Sequence, residues 1–157
     1  MTEEITIHKA TLADIPVLAH HRMGMYTDMG MGTPESRQIA IEMFVPYLKE
    51  NMPCGVYQGW LAKTTGGQIV GGGGLILDKW PAAARDQKPQ SRRAYILNIY
   101  TEPDYRGRGI ARQIMTAIVD WCRAEGLESV SLHSSSMGRP LYESMGFEQT
   151  NEMRLKL

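Results

Sequence analysis

Apolar and polar positions alternate over residues 5–9 (ITIHK), the two-residue period of a half-buried strand. The period then lengthens. Thr11 and Asp14 each offer an N-cap, and Pro16 sits where a first helical turn tolerates it, so a helix is expected to about Asp28. Met29-Gly30-Met31-Gly32 reads as a loop, and Thr33-Pro34-Glu35 opens a second helix to about Asn51. β-forming residues over 56–63, a turn at Thr64-Thr65-Gly66-Gly67 and a returning run over 68–77 predict a hairpin. The returning strand contains Gly71-Gly72-Gly73-Gly74, which signals close backbone approach or a bulge on one reading and a loosened hairpin end on another.

Residues 81–93 are polar and Pro-containing, most simply a surface loop. A strand over 95–100 follows, then a helix from Gly107 to about Glu125. Ile110, Ile114, Ile118 and Trp121 form its apolar stripe, and Gly126 its stop. A short strand over 129–133, a short helix over 139–145 ended by Gly146, and a C-terminal hairpin with alternating Met153, Leu155 and Leu157 complete the pattern. The order β-α-α-β-β-β-α-β-α-β-β describes an α/β chain of the α+β kind: a mixed, mostly antiparallel central sheet flanked by about four helices. Without an internal repeat or linker, residues 1–157 are expected to form one domain.

Composition narrows the function classes. With 17 basic and 17 acidic residues the formal charge is zero, so no net field favours nucleic acid or an anionic membrane. The longest apolar runs fall far short of the ~20 residues of a spanning helix. The start, MTEEITIHKA, lacks a basic and then apolar export signal, which predicts a cytoplasmic protein. Cys54 and Cys122 are isolated thiols suited to a reducing compartment, and neither has company with metal-ligand spacing, so no metal is expected.

The chemistry concentrates where the strand over 95–100 passes through Thr101-Glu102-Pro103-Asp104-Tyr105 into Arg106-Gly107-Arg108-Gly109 and a helix. A helix N-terminus presents unpaired N–H groups and about half a positive charge, and Gly107 and Gly109 let an anion approach without Cβ contact. Arg106, Arg108 and Arg112 stand ready to add side-chain charge. The bland reading is a strand-to-helix turn rich in glycine. No G-x-x-x-x-G-K-[ST] is present, and no G-x-G-x-x-G follows the first strand, so P-loop nucleotidase and dinucleotide-binding readings are disfavoured.

Two stretches resemble the GCN5-related N-acetyltransferases. One is Arg106-x-x-Gly109-x-Ala111 preceded by Tyr100-Thr101-Glu102-Pro103-Asp104-Tyr105. The other is Arg139-Pro140-Leu141-Tyr142-Glu143-Ser144-Met145-Gly146-Phe147. The element order agrees along the whole chain. The resemblance implies acetyl-coenzyme A as cofactor. Its pyrophosphate would lie on Arg106, Gly107, Arg108, Gly109, Ile110, Ala111 and Arg112. Its pantetheine arm would run beside Ile99, Tyr100 and Thr101, pairing as a strand would. The family's strand carries a bulge, expected here near Tyr100 or Thr101, whose outward N–H polarises the thioester carbonyl. Many relatives place an Asn, contacting the cofactor, where this chain has Ser135, and an Ala where it has Gly138.

The implied reaction is direct attack of a neutral primary amine on the thioester, with no covalent enzyme intermediate. Tyr142 would protonate the departing thiolate, against the simpler reading of a packed ring. The strand over 95–100 has no carboxylate, so the general base is either His133 or a water chain to bulk solvent. Arg22 and Tyr26 share a helix face at i, i+4 and either bind an acceptor carboxylate or cap the fold. The acceptor is a small-molecule amine or a peptide or protein amine. A non-catalytic acyl-CoA sensor using the same elbow stays open, as does a homodimer through edge strands near the C-terminus.

Overall fold

The computed structural model describes residues 3–82 and 91–157. β1 (Ile5–Lys9) leads through a single 3-10 turn, Leu12–Asp14, into α1 (Ile15–Asp28) and α2 (Pro34–Asn51). β2 (Tyr57–Thr64), β3 (Ile69–Lys79) and β4 (Arg92–Thr101) follow, then α3 (Ile110–Ala124), β5 (Ser131–Leu132) and α4 (Arg139–Ser144). The sheet order is β1-β2-β3-β4-β5, antiparallel up to β4 and parallel between β4 and β5. No described helix is long and apolar enough to cross a membrane.

The caps act largely as the side chains dictate. The Thr11 N–H donates to Asp14 Oδ2 at 2.7 Å, and Ser36 N–H donates to the Thr33 hydroxyl at 3.2 Å, each satisfying a donor that a helix start leaves unpaired. Two apolar layers cover the sheet. α3 buries Ile110, Ile114, Met115 and Ile118 against Val70, Leu75, Ala94 and Ile96 on one face. α1 and α2 bury Ile15, Leu18, Phe44 and Leu48 against Tyr57 and Leu61 on the other.

The glycine run in β3 is a seat for both layers. A Cβ at Gly72 would meet His21 Nδ1 at 2.8 Å, and one at Gly74 would strike the Tyr57 hydroxyl. On the α3 side, a Cβ at Gly73 would lie 2.5 Å from Ile99 Cδ1 and 2.9 Å from Ile114 Cγ2. Close approach is therefore the reason for the run, and the loosened hairpin end falls away.

Several boundaries differ from the sequence pattern. β4 begins at Arg92, because its ladder with β3 extends to Lys79↔Arg92, so Arg92 and Arg93 of the loop expected over 81–93 belong to the strand. The loop's residues 83–90 lie outside the described residues. α3 begins at Ile110 instead of Gly107, since Gly107 and Gly109 both hold positive φ (73° and 75°) and cannot continue a right-handed helix. β5 keeps only two residues of the five expected. The C-terminal hairpin is absent: residues 147–157 carry no strand, and Met153, Leu155 and Leu157 are exposed. Alternation defines a face, but a ladder also needs a partner edge, and a two-residue β5 offers almost none.

Candidate active site

β4 carries the site because its regular alternation breaks in the middle. Gly72 pairs with Tyr100 while Gly74 pairs with Leu97, so Asn98 and Ile99 together oppose Gly73. Asn98 takes φ 59°, the one positive φ among described residues other than glycine. Asn tolerates that left-handed conformation better than most side chains. The extra residue reverses the parity of the strand. Ala94 and Ile96 face α3, whereas Leu97 packs with the α1/α2 layer, Asn98 bonds Arg22 and Tyr57, and Tyr100 packs on His21. A bulge also interrupts the ladder and bends the strand. The parallel pairing to β5 accordingly stops at Ile96↔Leu132, and the two strands part beyond it. The bulge thus sits at Asn98–Ile99, ahead of the Tyr100–Thr101 position that the resemblance suggested.

The Arg-Gly elbow follows directly. A Cβ at Gly107 or Gly109 would meet nothing within 4 Å, so the elbow's outer side is open. The Gln113 N–H to Gly109 carbonyl bond (3.1 Å) leaves the N–H groups of Ile110, Ala111 and Arg112 ahead of the α3 ladder. Ile110 is buried and anchors the turn. The three arginines, by contrast, are engaged with the protein. Arg106 pairs with Asp28 at 2.5 Å and donates to the Thr101 carbonyl at 2.9 Å. Arg108 donates to the Asp104 carbonyl and covers the Tyr105 ring. Arg112 donates to Ser144 Oγ at 2.6 Å and ties α3 to α4.

A polar cluster joins α1 to the end of β4. His20 Nε2 lies 2.8 Å from Glu102 Oε1, and buried His21 lies 3.6 Å from the same oxygen. Burial pulls His21 down to about 4, with Glu102 partly opposing, so its ring is neutral at pH 7. Gly24 fits here because a Cβ would meet the Tyr100 ring at 2.6 Å.

On the far side, α4 holds Tyr142 half-buried, its ring edge-on to Phe147 with centroids 6.0 Å apart. Burial raises the Tyr142 pKa, so the phenol keeps its proton at neutral pH. Gly138 permits this seat, since a Cβ there would stand 2.9 Å from Tyr142 Cε2. Ser135 Oγ accepts the Gly138 N–H at 3.1 Å, so it serves the turn into α4. His133 lies exposed one residue beyond β5.

Arg22 and Tyr26 do stand on one face. The Arg22 guanidinium carbon lies 4.9 Å from the Tyr26 ring centroid and 4.6 Å from that of Phe44, and Nη1 donates to Asn98 Oδ1 at 2.5 Å. Asn98 and Tyr57 escaped the sequence reading. An Asn inside an apolar strand was the available signal for the first. Nothing in the sequence marked Tyr57, whose pKa burial pushes up to about 12 and whose oxygen accepts from Asn98 Nδ2 at 3.3 Å.

Comparison with known proteins identifies the family and the fold. The chain is 29% identical over 131 residues to the uncharacterized N-acetyltransferase YycN of Bacillus subtilis, covering 81% of this chain and 79% of that one. It is 30% identical over 92 residues to a glucosamine 6-phosphate N-acetyltransferase of Trypanosoma brucei brucei, covering 58% and 59%. Among solved structures, a GCN5-related N-acetyltransferase from Ralstonia eutropha superposes with TM-score 0.89 at 28% identity over 98% of this chain and 99% of that one. An acetyltransferase from Clostridium acetobutylicum, crystallised with acetyl-CoA, superposes with TM-score 0.85 at 26% identity over 98% and 96%. A model of the acetyltransferase (GNAT) family matches residues 27–147, and the chain belongs to that family of N-acetyltransferases.

Proposed function

We propose that this chain transfers the acetyl group of acetyl-CoA to a primary amine by direct attack in a ternary complex. The observation that carries the reading is the β4 bulge at Asn98–Ile99 followed, a short turn beyond the strand's end, by the open Gly107–Gly109 elbow. In this reading the pyrophosphate rests on backbone N–H groups from Gly107 to Arg112, and the pantetheine arm enters where β4 and β5 part, beside Ile99, Tyr100 and Thr101. An N–H released by the bulge faces the thioester oxygen, where such a donor is worth about 3 kcal/mol in the transition state.

The amine nitrogen bonds the thioester carbon, the C–S bond breaks, and the thiolate takes the Tyr142 proton. Burial keeps that phenol protonated and also makes it a weaker acid, so the transfer relies on proximity and not on a pKa match. The proton shed by the amine leaves to water or to exposed His133. Ser135 Oγ accepts from the Gly138 N–H and keeps its own O–H to donate to the cofactor. Arg22 and Tyr26 bound the acceptor side. One acetyltransferase domain spans residues 1–157. The decisive measurement is thiol release from acetyl-CoA with a panel of amines. Release with at least one amine, reduced in Tyr142→Phe, is expected; cofactor binding without release for any amine would assign the chain to acyl-CoA sensing instead.

A further inference from the structure

We infer that the acceptor is an amino acid whose carboxylate is bound by Arg22, with Asn98 and the Tyr26 and Phe44 rings holding the guanidinium in place. This specificity rests on the acetyl-transfer reading above and adds the acceptor class to it. Arg22 is a half-buried cation with no acidic partner among the described residues. The carboxylates at the end of α1 and just after β4 are committed elsewhere: Asp28 pairs with Arg106 at 2.5 Å, and Glu102 with His20 at 2.8 Å. Of its donors, only Nη1 bonds the protein, to Asn98 Oδ1, while Nε is buried without a partner. A half-buried guanidinium with a buried, unpaired Nε and no counter-charge is a costly arrangement for a fold alone. It becomes favourable once an anion completes it.

The geometry sets the kind of anion. Contacts with the Tyr26 and Phe44 rings at 4.9 and 4.6 Å confine the guanidinium, and Asn98 cannot turn its oxygen away, because its Nδ2 is already given to Tyr57. The Nη2 end and, after a small shift of the side chain, Nε form the planar fork that matches the two oxygens of a carboxylate. One cation against aromatic walls balances a single negative charge, which favours carboxylate over a phosphate dianion. The bonded neighbour Asn98 is itself the bulge residue, so one residue links the Arg22 guanidinium to the irregular part of β4.

The test uses glycine, leucine, phenylalanine and glutamate, each as free acid, C-terminal amide and decarboxylated amine, with glucosamine 6-phosphate beside them. Thiol release from acetyl-CoA gives kcat/KM for each. An acid is expected to exceed its amide and amine by roughly tenfold or more, the value of about one charged hydrogen bond. Arg22→Gln is expected to bring that ratio close to one, and Arg22→Lys to restore part of it; melting temperature and CoA affinity report whether each variant is folded. Amides or amines turned over as well as acids by the wild type would overturn the assignment, whatever the variants do. So would a preference for glucosamine 6-phosphate. If CoA binds and no amine releases thiol, the transfer reading fails for these acceptors, and calorimetry on the CoA-loaded protein judges the anion site separately. An acid-over-amide preference in binding then upholds it, and equal binding sinks it.

Discussion

His21 gives the fold a pH dependence whose size can be worked out. Its ring is buried between α1 and β3, against Gly72 and the Tyr100 ring, with neither nitrogen hydrogen-bonded. Burial lowers its pKa from 6.5 to about 4, while Glu102 at 3.6 Å opposes the fall and His20 adds to it. The unfolded chain therefore binds a proton that the folded chain refuses. Stability contributed by the neutral ring is complete above pH 6.5, declines as pH falls toward about 4, and is gone below that. At 1.36 kcal/mol per tenfold in proton affinity, the loss approaches about 3 kcal/mol. For a chain of this length that is on the order of 10 °C in melting temperature. Urea unfolding of wild type, His21→Phe and His21→Leu between pH 4 and 7.5 isolates the effect from carboxylates that titrate in all three. Both replacements remove unpaired ring nitrogens, so near-wild-type stability is expected at pH 7.5. The stability difference should shift in the variants' favour by about 3 kcal/mol at pH 4. A difference that stays flat with pH in both variants would refute the buried neutral His21.

Three further outcomes follow from the site. Tyr142→Phe should lower kcat roughly tenfold or more with little change in KM for acetyl-CoA, measured as thiol release at pH 7.5; an unchanged kcat from pH 6 to 9 removes Tyr142 from the chemistry. Gly109→Ala must hold a Cβ at φ 75°, which costs roughly 1–2 kcal/mol, and its methyl projects into the open elbow, so KM for acetyl-CoA should rise as well. Gly74→Ala drives a methyl into the Tyr57 hydroxyl and should destabilise by about 1–3 kcal/mol in denaturant unfolding, whereas Gly67→Ala, in the β2–β3 turn with open space around it, should show only the strain of its positive φ.

The elbow and α3 were legible from the sequence because short-range physics specifies them. Gly107 and Gly109 impose local dihedrals, and the stripe Ile110, Ile114, Ile118 imposes one buried face, so the strand–elbow–helix unit appears where expected apart from the helix start. The C-terminal segment went the other way. Met153, Leu155 and Leu157 alternate as well as any strand in the chain, yet their partner edge is set by how far β5 follows β4. That distance is a tertiary quantity, fixed at Ile96↔Leu132, and no local pattern encodes it.

The acceptor side was least legible, and the bulge explains why. Periodicity assigns Asn98 to the same face as Ala94 and Ile96, which would bury a polar amide beneath α3. One inserted residue reverses that parity, sends Asn98 toward Arg22 and Tyr57, and turns Ile99 inward against Ile114. The same insertion ends the β4–β5 ladder. A single irregularity therefore opens the space between the strands and places, on the opposite layer, the residue that orients Arg22. Regularising β4 by deleting Ile99 should close both at once. Cofactor affinity and any acid-over-amide preference should then fall together, whereas Arg22→Gln should reduce the preference alone. Separate loss of the two in the deletion variant would mean that the bulge does not couple them.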